Sequence, residues 1–425
     1  MSKNPRDKQE KGKQNHAFDS RNIMSAGQTA KPQPKREATP NSELLDQRWE
    51  RVSAELRNKF PEFVVAFGYG SGVIPQEGYN YSKVEDLPML DLLIVVRDTY
   101  QWNQRNFLKN PDFYRGMDKI RLKYYPTVRD KWLEMVSMGI TFHPYIEVME
   151  GVEGKIGVIP LSVFIEDMEK LRCNIIAGRL SKPTKIVWGQ SKPESIDEYK
   201  VILDLLNRNY ERTLAFGRLS FHYRKLVRKP IMDNLILMAL RETIFGDLIS
   251  LSYIGDIRRI VGAEDPNKIA KIYKGNQARL DEIYYPYMKK YEELGISLIS
   301  QNKESLMKEG NAGLMTLLQK KILTPQQQET LSQQGLSKAL LHEGLFPHEK
   351  EYLENALHPK ILQSDLNSVL QGPPALAGEF IRSSFKLKNL GMSCRILVAQ
   401  MHTTPIATNL TYVWQKLRKG IFRRK

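Results

Sequence analysis

Hydrophobic positions recur with two different periods along the chain. Between Ser42, a suitable N-cap, and Pro61 they lie three or four residues apart, which predicts an amphipathic helix. The unbroken apolar run Leu90–Val96 predicts a buried strand. Similar short runs lie at residues 63–67, 140–149 and 155–159. Short helices are expected between residues 102 and 137, so the part up to about residue 190 is expected to be a mixed α/β sheet domain.

From about residue 191 the helical period dominates. Ile202, Leu205, Leu206 and Tyr210 mark one amphipathic helix, and Pro230 is suitably placed to open another. This predicts a mostly helical second domain over residues 191–330, followed by a helical C-terminal region over 331–402. No repeat with a period of 20–50 residues is visible, which disfavours a solenoid.

Composition narrows the class of protein. The chain has 425 residues, 41% of them hydrophobic, and only two cysteines, which favours a globular fold in a reducing compartment. No run of apolar residues is long enough for a transmembrane helix. The net charge of +16 is concentrated at the two ends. Because the remainder is almost neutral, no nucleic-acid partner is expected.

The N-terminal and C-terminal segments predict different structures. Residues 1–42 are polar and basic and are expected to be a disordered tail, since they lack the apolar core of a secretory signal and acidic residues interrupt any presequence pattern. Residues 403–425 predict an amphipathic basic helix with Trp414 on its apolar stripe. Such a helix suits an anionic membrane surface. The alternative is a last helix packed on the core with a solvated basic tip.

The strongest local signal is the segment Phe-Gly-Tyr-Gly-Ser-Gly at residues 67–72, directly after a predicted strand. Backbone N–H groups of Gly70, Ser71 and Gly72 can converge on a phosphate there. A simple glycine turn between strands is an equal alternative. A dinucleotide-binding Rossmann loop is disfavoured because position 73 is Val, although Asp98 does follow the next strand.

Asp91 is the second candidate, because a carboxylate in an otherwise apolar strand is costly unless it is paired or binds a metal. The alternative is that Asp91 simply begins the strand at its solvent-exposed end. A glycine-serine loop followed by an acid on the next strand is the layout of a nucleotidyltransferase site, with the triphosphate on the loop and Mg²⁺ on the acid. The usual second acid two residues later is replaced by Leu93. Glu147, on a later predicted strand, is the available substitute as a metal ligand, and a solvent-facing Glu is the alternative.

Several motifs in one order extend this interpretation. They are Gly-Tyr-Gly-Ser-Gly-Val at residues 68–73 with Gln76, Pro-Met-Leu-Asp-Leu at residues 88–92, the segments 102–114, 143–145, 155–159, 177–183 and 251–258, and the basic tail at 414–417. Together they resemble the mitochondrial-type phosphatidate cytidylyltransferase family, over roughly residues 55–275 and the last 20.

The resemblance implies the reaction CTP + phosphatidate → CDP-diacylglycerol + pyrophosphate, with Mg²⁺, in the phospholipid synthesis that leads to phosphatidylglycerol and cardiolipin. It also implies a nucleotidyltransferase domain over residues 43–190 and a winged-helix-like character for 191–330. Phosphatidate would be reached in an anionic membrane through the C-terminal helix. The enzyme would then be peripheral, on the matrix side of the mitochondrial inner membrane or, in a bacterium, on the cytoplasmic side of the cell membrane.

The resemblance also assigns residues. Asp91, Ser71 and Lys182 are the expected catalytic residues, and Asp91 and Glu147 the expected metal ligands. The expected nucleotide- and phosphate-binding residues are Gly70, Ser71, Gly72, Gln76, Arg179, Lys182, Asp256 and Arg258, with Lys185 a further candidate cation. For Arg179, Lys182 and Lys185 the alternative is that they are surface charges with no role in the site. Two other functions stay open at this point: a nucleotidyltransferase acting on RNA or a small molecule, and a catalytically silent membrane-associated scaffold.

Overall fold

A computed structural model describes residues 40–190, 196–227, 244–262, 264–309, 345–355, 366 and 369–405. The predicted N-terminal tail up to residue 39, the helix expected after Pro230 and most of the basic C-terminal helix lie outside the described residues. The elements, in chain order, are α1 (Pro40–Lys59), β1 (Val65–Tyr69), β2 (Leu90–Val96), α2 (Thr99–Lys109), α3 (Met117–Tyr124), α4 (Pro126–Ser137), β3 (Thr141–Met149), β4 (Val152–Pro160), α5 (Leu161–Lys170), α6 (Ala177–Leu180), β5 (Lys185–Trp188), α7 (Ile196–Val227), α8 (Ile257–Ile260), α9 (Lys268–Glu309), α10 (Pro347–Asn355) and α11 (Pro374–Thr403).

The expected mixed α/β fold is confirmed. Five strands of the described residues form one sheet in the order β3-β4-β2-β1-β5. Only β2 and β4 run parallel, and the other neighbours are antiparallel. The strand predicted at Leu90–Val96 is found with those bounds.

The antiparallel pairing of β1 with β2 overturns the Rossmann alternative, because that fold needs a parallel strand–helix–strand crossover there. Asp98 also has a different role. Its carboxylate caps α2 by accepting a hydrogen bond from the backbone N–H of Gln101 at 3.0 Å.

Hydrophobic side chains cover both faces of the sheet. Successive residues of β2 point to opposite faces, so Leu93 and Val95 join one buried cluster while Leu92 and Ile94 join the other. Helices α5, α7 and α11 contribute to the cluster around Leu93, and helices α1 and α2 to the other. Leu93, at the position where a second acid was expected, is therefore a core residue with no exposed surface.

Helix α11, on the Leu93 face of the sheet, contacts the segment 251–255. Gly255 has a φ of +74°, and a Cβ there would lie 2.3 Å from the carbonyl oxygen of Lys386 on α11. On the same helix, Asn389 donates hydrogen bonds to the carbonyl oxygens of Leu251 (3.0 Å) and Ile254 (2.6 Å). Helix α11 therefore holds the segment 251–255 in place. No helix of the described residues is long and apolar enough to cross a membrane.

Candidate functional site

Three neighbouring strands place three polar side chains side by side. In the registered pairs, Tyr69 on β1 lies opposite Asp91 on β2, and Asp91 lies beside Lys155 on β4. All three line one cavity at this end of the sheet. Asp91 is only partly buried there, so the carboxylate that seemed costly in the sequence faces the cavity rather than the core.

The glycine-rich segment forms a tight turn over Asp91. Gly70 has a φ of +75°, and its carbonyl oxygen accepts hydrogen bonds from the backbone N–H groups of Val73 (3.1 Å) and Ile74 (2.9 Å). A Cβ on Gly70 would lie 2.7 Å from Oδ2 of Asp91. Only a residue without a side chain fits between this carboxylate and the turn, so the close approach depends on glycine.

Gly72, the third expected phosphate contact of the turn, is packed closely against neighbouring backbone. It does not line the cavity, and a Cβ there would lie 2.5 Å from the carbonyl oxygen of Met89. Its own carbonyl oxygen accepts a hydrogen bond from the buried guanidinium of Arg48. Gly70 and Ser71 are the members of the turn that face the cavity.

The segment 177–183 supplies two cations. The buried carboxylate of Asp167 accepts hydrogen bonds from four backbone N–H groups, those of Cys173, Asn174, Ile176 and Ala177, at 2.6–3.2 Å. This anchors α6, which carries Arg179, and the turn after it, which carries Lys182. Both side chains line the cavity.

The segment 251–258 also contributes side chains to the cavity wall. Ser252 Oγ accepts a hydrogen bond from Lys182 Nζ, which also lies 5.0 Å from the ring centre of Tyr253. Arg258 lines the cavity and is held by Asp256 through contacts of 2.6–3.1 Å. Burial by itself would raise the pKa of Asp256, but the charge and hydrogen bonds of Arg258 outweigh it and lower the pKa below its ordinary value. Asp256 thus positions Arg258.

Helix α9 completes the site from a distant part of the sequence. Its Lys268 donates a hydrogen bond of 2.8 Å to Oε1 of Gln76, and both line the cavity. A Cβ on Gly275 would lie 2.7 Å from Cα of Gln76, so the helix and the loop are in direct backbone contact. Asn276 has a non-helical φ of −137° and donates to the carbonyl oxygen of Pro75 at 2.7 Å. The kink therefore fits the helix to the loop.

The cavity is strongly cationic. Five basic side chains line it against two acidic ones: Lys155, Arg179, Lys182, Arg258 and Lys268 against Asp91 and Glu264. The pKa of Lys182 is lowered from its ordinary value of 10.5 to about 7, first by burial and then by the charges of Arg179, Arg258 and Lys268. Burial also raises the pKa of Tyr69 and of Tyr253 well above the ordinary value, so both keep their protons. A cluster of this kind binds a polyanion such as a triphosphate.

Most of the predicted residues come together in this cavity. Those that line it are Gly70, Ser71, Gln76, Asp91, Arg179, Lys182 and Arg258. Lys185 does not line it, because its ammonium group bonds Asp46 and lies over the ring of Trp49 at 5.9 Å. Local sequence patterns do not mark Lys155, Glu264 or Lys268 as site residues. Lys155 opens one of the quoted motifs, and that was the only signal available for any of the three.

Glu147 does not line the same cavity as Asp91, with which it was expected to bind a metal ion. It is exposed on β3, pairs in register with Glu153 and lines a different surface depression together with Arg51 and Lys59 of α1. The reason is the strand order: β4 lies between β2 and β3, and the neighbour of Asp91 on β4 is Lys155. Glu264 is the second acid of the cavity, 3.7 Å from the guanidinium of Arg258.

An Mg²⁺ ion in this cavity would be bound together with a substrate. Among the described residues no group of three or more His, Cys, Asp or Glu side chains could hold a metal ion. Mg²⁺ commonly binds through one or two carboxylates plus substrate phosphates. The fit here rests on the space that glycine leaves beside Oδ2 of Asp91 at the cavity wall. Asp91 is accordingly the residue that would hold the ion.

Fold and cavity together define a class: a mixed α/β protein with a cationic cavity where a glycine-serine turn meets a strand carboxylate. Comparison with known families agrees with this class and makes it specific. Residues 53–214 and 232–419 match the family described as "Phosphatidate cytidylyltransferase, mitochondrial". The chain belongs to that family.

Individual relatives carry the same name. A protein of Saccharomyces cerevisiae is 29% identical over 223 residues, which cover 52% of this chain and 51% of the yeast protein. The human protein is 31% identical over 233 residues, 54% of this chain and 45% of the human protein. The rat protein is 31% identical over 232 residues, 54% of this chain and 60% of the rat protein. The chain thus spans about half the length of the curated relatives it matches.

Proposed function

We propose that this protein is a phosphatidate cytidylyltransferase, which converts CTP and phosphatidate into CDP-diacylglycerol and pyrophosphate. The observation that carries the proposal is the cavity in which the glycine-serine turn, Asp91 and five basic side chains meet. Membership in a family that bears this name supports the choice of substrates. The product would feed the synthesis of phosphatidylglycerol and cardiolipin.

In the proposed reaction a phosphate oxygen of phosphatidate attacks the α-phosphorus of CTP. A new P–O bond forms as the bond between the α-phosphorus and the bridging oxygen of pyrophosphate breaks. The second pKa of a phosphate monoester is about 6, so the attacking group is mostly dianionic at neutral pH and needs no general base. The protein's task is to align two anions and to stabilise charge in the transition state.

Different residues of the cavity are suited to different phosphate groups of the two substrates. The turn at Gly70 and Ser71 offers backbone N–H groups and a hydroxyl to the triphosphate. Arg179 and Lys182 come from α6 and the turn after it, and Arg258 and Lys268 come from later segments of the chain. These four cations are available to the pyrophosphate and to the attacking phosphate. Lys155, beside Asp91 in the sheet, is suited to the α-phosphate. Mg²⁺ held by Asp91 would supply further charge neutralisation between the phosphates.

We further propose that the protein works at a membrane surface. Phosphatidate stays in the bilayer, and the basic segment 403–425 has the composition of an interfacial anchor. The names of the relatives support a mitochondrial location. The matrix side of the inner membrane is the proposed site, where the protein would be peripheral.

Nucleotide selectivity tests this proposal. The purified protein is incubated with Mg²⁺, phosphatidate in vesicles and one of CTP, ATP, GTP or UTP, while pyrophosphate is measured. Release that requires both CTP and phosphatidate is expected. Release that is independent of phosphatidate, or equal for the four nucleotides, would point to a different nucleotidyltransferase reaction, and no release with any of them would contradict the proposal.

A further inference from the structure

Helix α11 carries an apolar stripe on its outer side. Leu387, Cys394, Val398 and Met401 are all exposed and are separated by helical multiples of three and four residues, with Gly391 completing the series. The exposed fractions of Leu387, Val398 and Met401 are 43%, 44% and 56%. The opposite side of the same helix is buried against α7 and the core, with Ile381 and Phe385 fully covered. The helix is thus apolar on both its inner and its outer side.

A second exposed stripe adjoins the end of α11. On α3, Met117, Ile120 and Tyr124 follow one another at helical spacing and are 57%, 48% and 61% exposed. The two helices meet directly: a Cβ on Gly116, just before α3, would lie 3.2 Å from Pro405, and Arg121 contacts Nδ1 of His402 at 2.8 Å. We refer to Leu387, Val398, Met401, Ile120 and Tyr124 as the α11–α3 face.

Positive charge accompanies these apolar residues. Lys386 and Arg395 are exposed on α11, and Lys119 and Lys123 lie on α3. The last acidic residue of the sequence is Glu379, so most of α11 has no negative charge. The one acid of α3, Asp118, is buried in an ion pair with Arg129 at 2.6 Å. Exposed apolar side chains flanked by cations have the chemistry of an interfacial membrane contact.

We propose that the α11–α3 face binds an anionic lipid bilayer, with its apolar side chains at the depth of the headgroups. This deepens the membrane attachment proposed above and rests on it, but it assigns the contact to the folded part of the protein as well as to the basic end. Charge argues against two other occupants. Residues 406–425 carry six basic and no acidic residues, and a second copy would present the same cations, so each would be repelled by this face.

Helix α11 connects the proposed bilayer contact with the cavity. Near Lys386 the helix holds Gly255, in the segment that supplies Tyr253 and Arg258 to the cavity. Near His402 it meets α3, about 24 Å farther along at 1.5 Å per residue. The same helix therefore contacts both the segment that lines the cavity and the α3 part of the proposed bilayer contact.

Cys394 allows a direct test on the full chain. Cys173 is buried and only 3% exposed, so a thiol-reactive, environment-sensitive fluorophore labels Cys394 selectively. With vesicles of phosphatidylglycerol and phosphatidylcholine we expect a blue shift, and quenching by lipids that carry spin labels in the upper acyl chain. Neither is expected with phosphatidylcholine alone. If the vesicles bind the protein while the probe at Cys394 stays in water, the bilayer contact is made elsewhere and the proposal is wrong. A shift that grows with protein concentration in the absence of lipid would instead identify a second copy as the occupant.

A matched pair of variants provides a second readout. Tyr124→Glu is placed on the α11–α3 face, and Tyr285→Glu on α9 at a similar exposure of 57%. We expect Tyr124→Glu to weaken vesicle binding about tenfold or more and Tyr285→Glu to change it less than twofold. Both variants should act normally on short-chain phosphatidate dissolved as monomers. Equal vesicle binding by the two would contradict the docking face, whereas absence of activity on the dissolved substrate in the parent protein would contradict the proposed reaction instead.

Discussion

The backbone of Gly70 lies so close to the carboxylate of Asp91 that a Cβ on the glycine would lie 2.7 Å from Oδ2. This contact joins the two strongest signals of the sequence, the glycine-serine turn and the strand acid. It places the proposed phosphate-binding turn and the proposed metal ligand within one small volume. The proposed chemistry depends on this arrangement because both groups must act on the same triphosphate.

Substitution of Gly70 tests this contact. In Gly70→Ala the new methyl group would displace the Asp91 carboxylate, and displacement of about 1 Å commonly lowers activity about 100-fold. We expect a fall of that size in kcat/KM for CTP. Gly78→Ala is the matched control, because Gly78 has a φ of +77° but nothing lies within 4 Å of its added Cβ. Both variants carry the same backbone strain, so equal activity in the two would show that the contact with Asp91 is unimportant.

The lowered pKa of Lys182 predicts a pH dependence. With a pKa of about 7, the ammonium group loses its proton as the pH rises through neutrality, and its attraction for phosphate is lost with it. In the free enzyme kcat/KM should therefore fall above about pH 7. Lys182→Arg keeps a charged side chain over this range, so its alkaline fall should begin at clearly higher pH. Identical pH profiles for the two proteins would rule out Lys182 as the titrating group.

The same pKa also predicts a change in stability. Because the folded-state pKa of Lys182 lies below its ordinary value of 10.5, the unfolded chain binds the extra proton between about pH 7 and 10.5. The penalty for burying the charged group is full below pH 7 and disappears as the pH rises to 10.5. Lys182→Met should thus raise the Tm at pH 6.5 and lose that advantage by about pH 10. A gain in Tm that is independent of pH would contradict the assignment.

The two candidate acids are separable by a matched substitution. Glu264 lines the cavity and lies 3.7 Å from Arg258, whereas Glu147 lies in another depression. We expect Glu264→Gln to lower kcat/KM about tenfold, because one of the two carboxylates that hold Arg258 loses its charge. Glu147→Gln should stay within about twofold of the parent. A large loss in Glu147→Gln would restore that residue as the partner of Asp91.

Breaking a buried ion pair should lower the free energy of unfolding more than breaking an exposed one. Arg218 on α7 and Glu349 on α10 have no exposed side-chain surface, and Nε of Arg218 donates to Oε1 of Glu349 at 2.6 Å. Removing one partner leaves a buried charge, so Glu349→Ala should lower the free energy of unfolding by about 3–5 kcal/mol. Asp204→Ala breaks the exposed pair with Arg208 and should cost less than about 1 kcal/mol. Denaturant titration distinguishes the two.

Much of the sheet could be predicted from local sequence patterns. The apolar run of β2 and the helical period of α1 are strong enough to set those elements with little help from the rest of the chain. The strand β5 (Lys185–Trp188) was not predicted, because four residues after Pro183 show no clear alternation. It becomes a strand by pairing with β1, which is a tertiary effect.

The residues of the site also differ in whether local sequence patterns can predict them. The turn and Asp91 lie on the paired strands β1 and β2, so motif spacing is sufficient to predict that they meet. Lys268 reaches Gln76 across 192 residues of sequence, through the close fit of Gly275 on the loop, and no local pattern encodes that approach. Glu147 was misassigned for a related reason: strand order, which decides the neighbours of Asp91, is not visible in the spacing of residues.

The most direct test of the proposed function follows the label of CTP. The protein is incubated with Mg²⁺, vesicles containing phosphatidate and CTP labelled at the α-phosphate, and label is measured in the lipid phase together with pyrophosphate in the aqueous phase. We predict equal amounts of the two products, a loss of about 100-fold or more in Asp91→Asn, and no loss in Asp112→Asn, whose side chain is 96% exposed. Label that stays in the aqueous phase, or equal transfer by Asp91→Asn and the parent protein, would contradict the account.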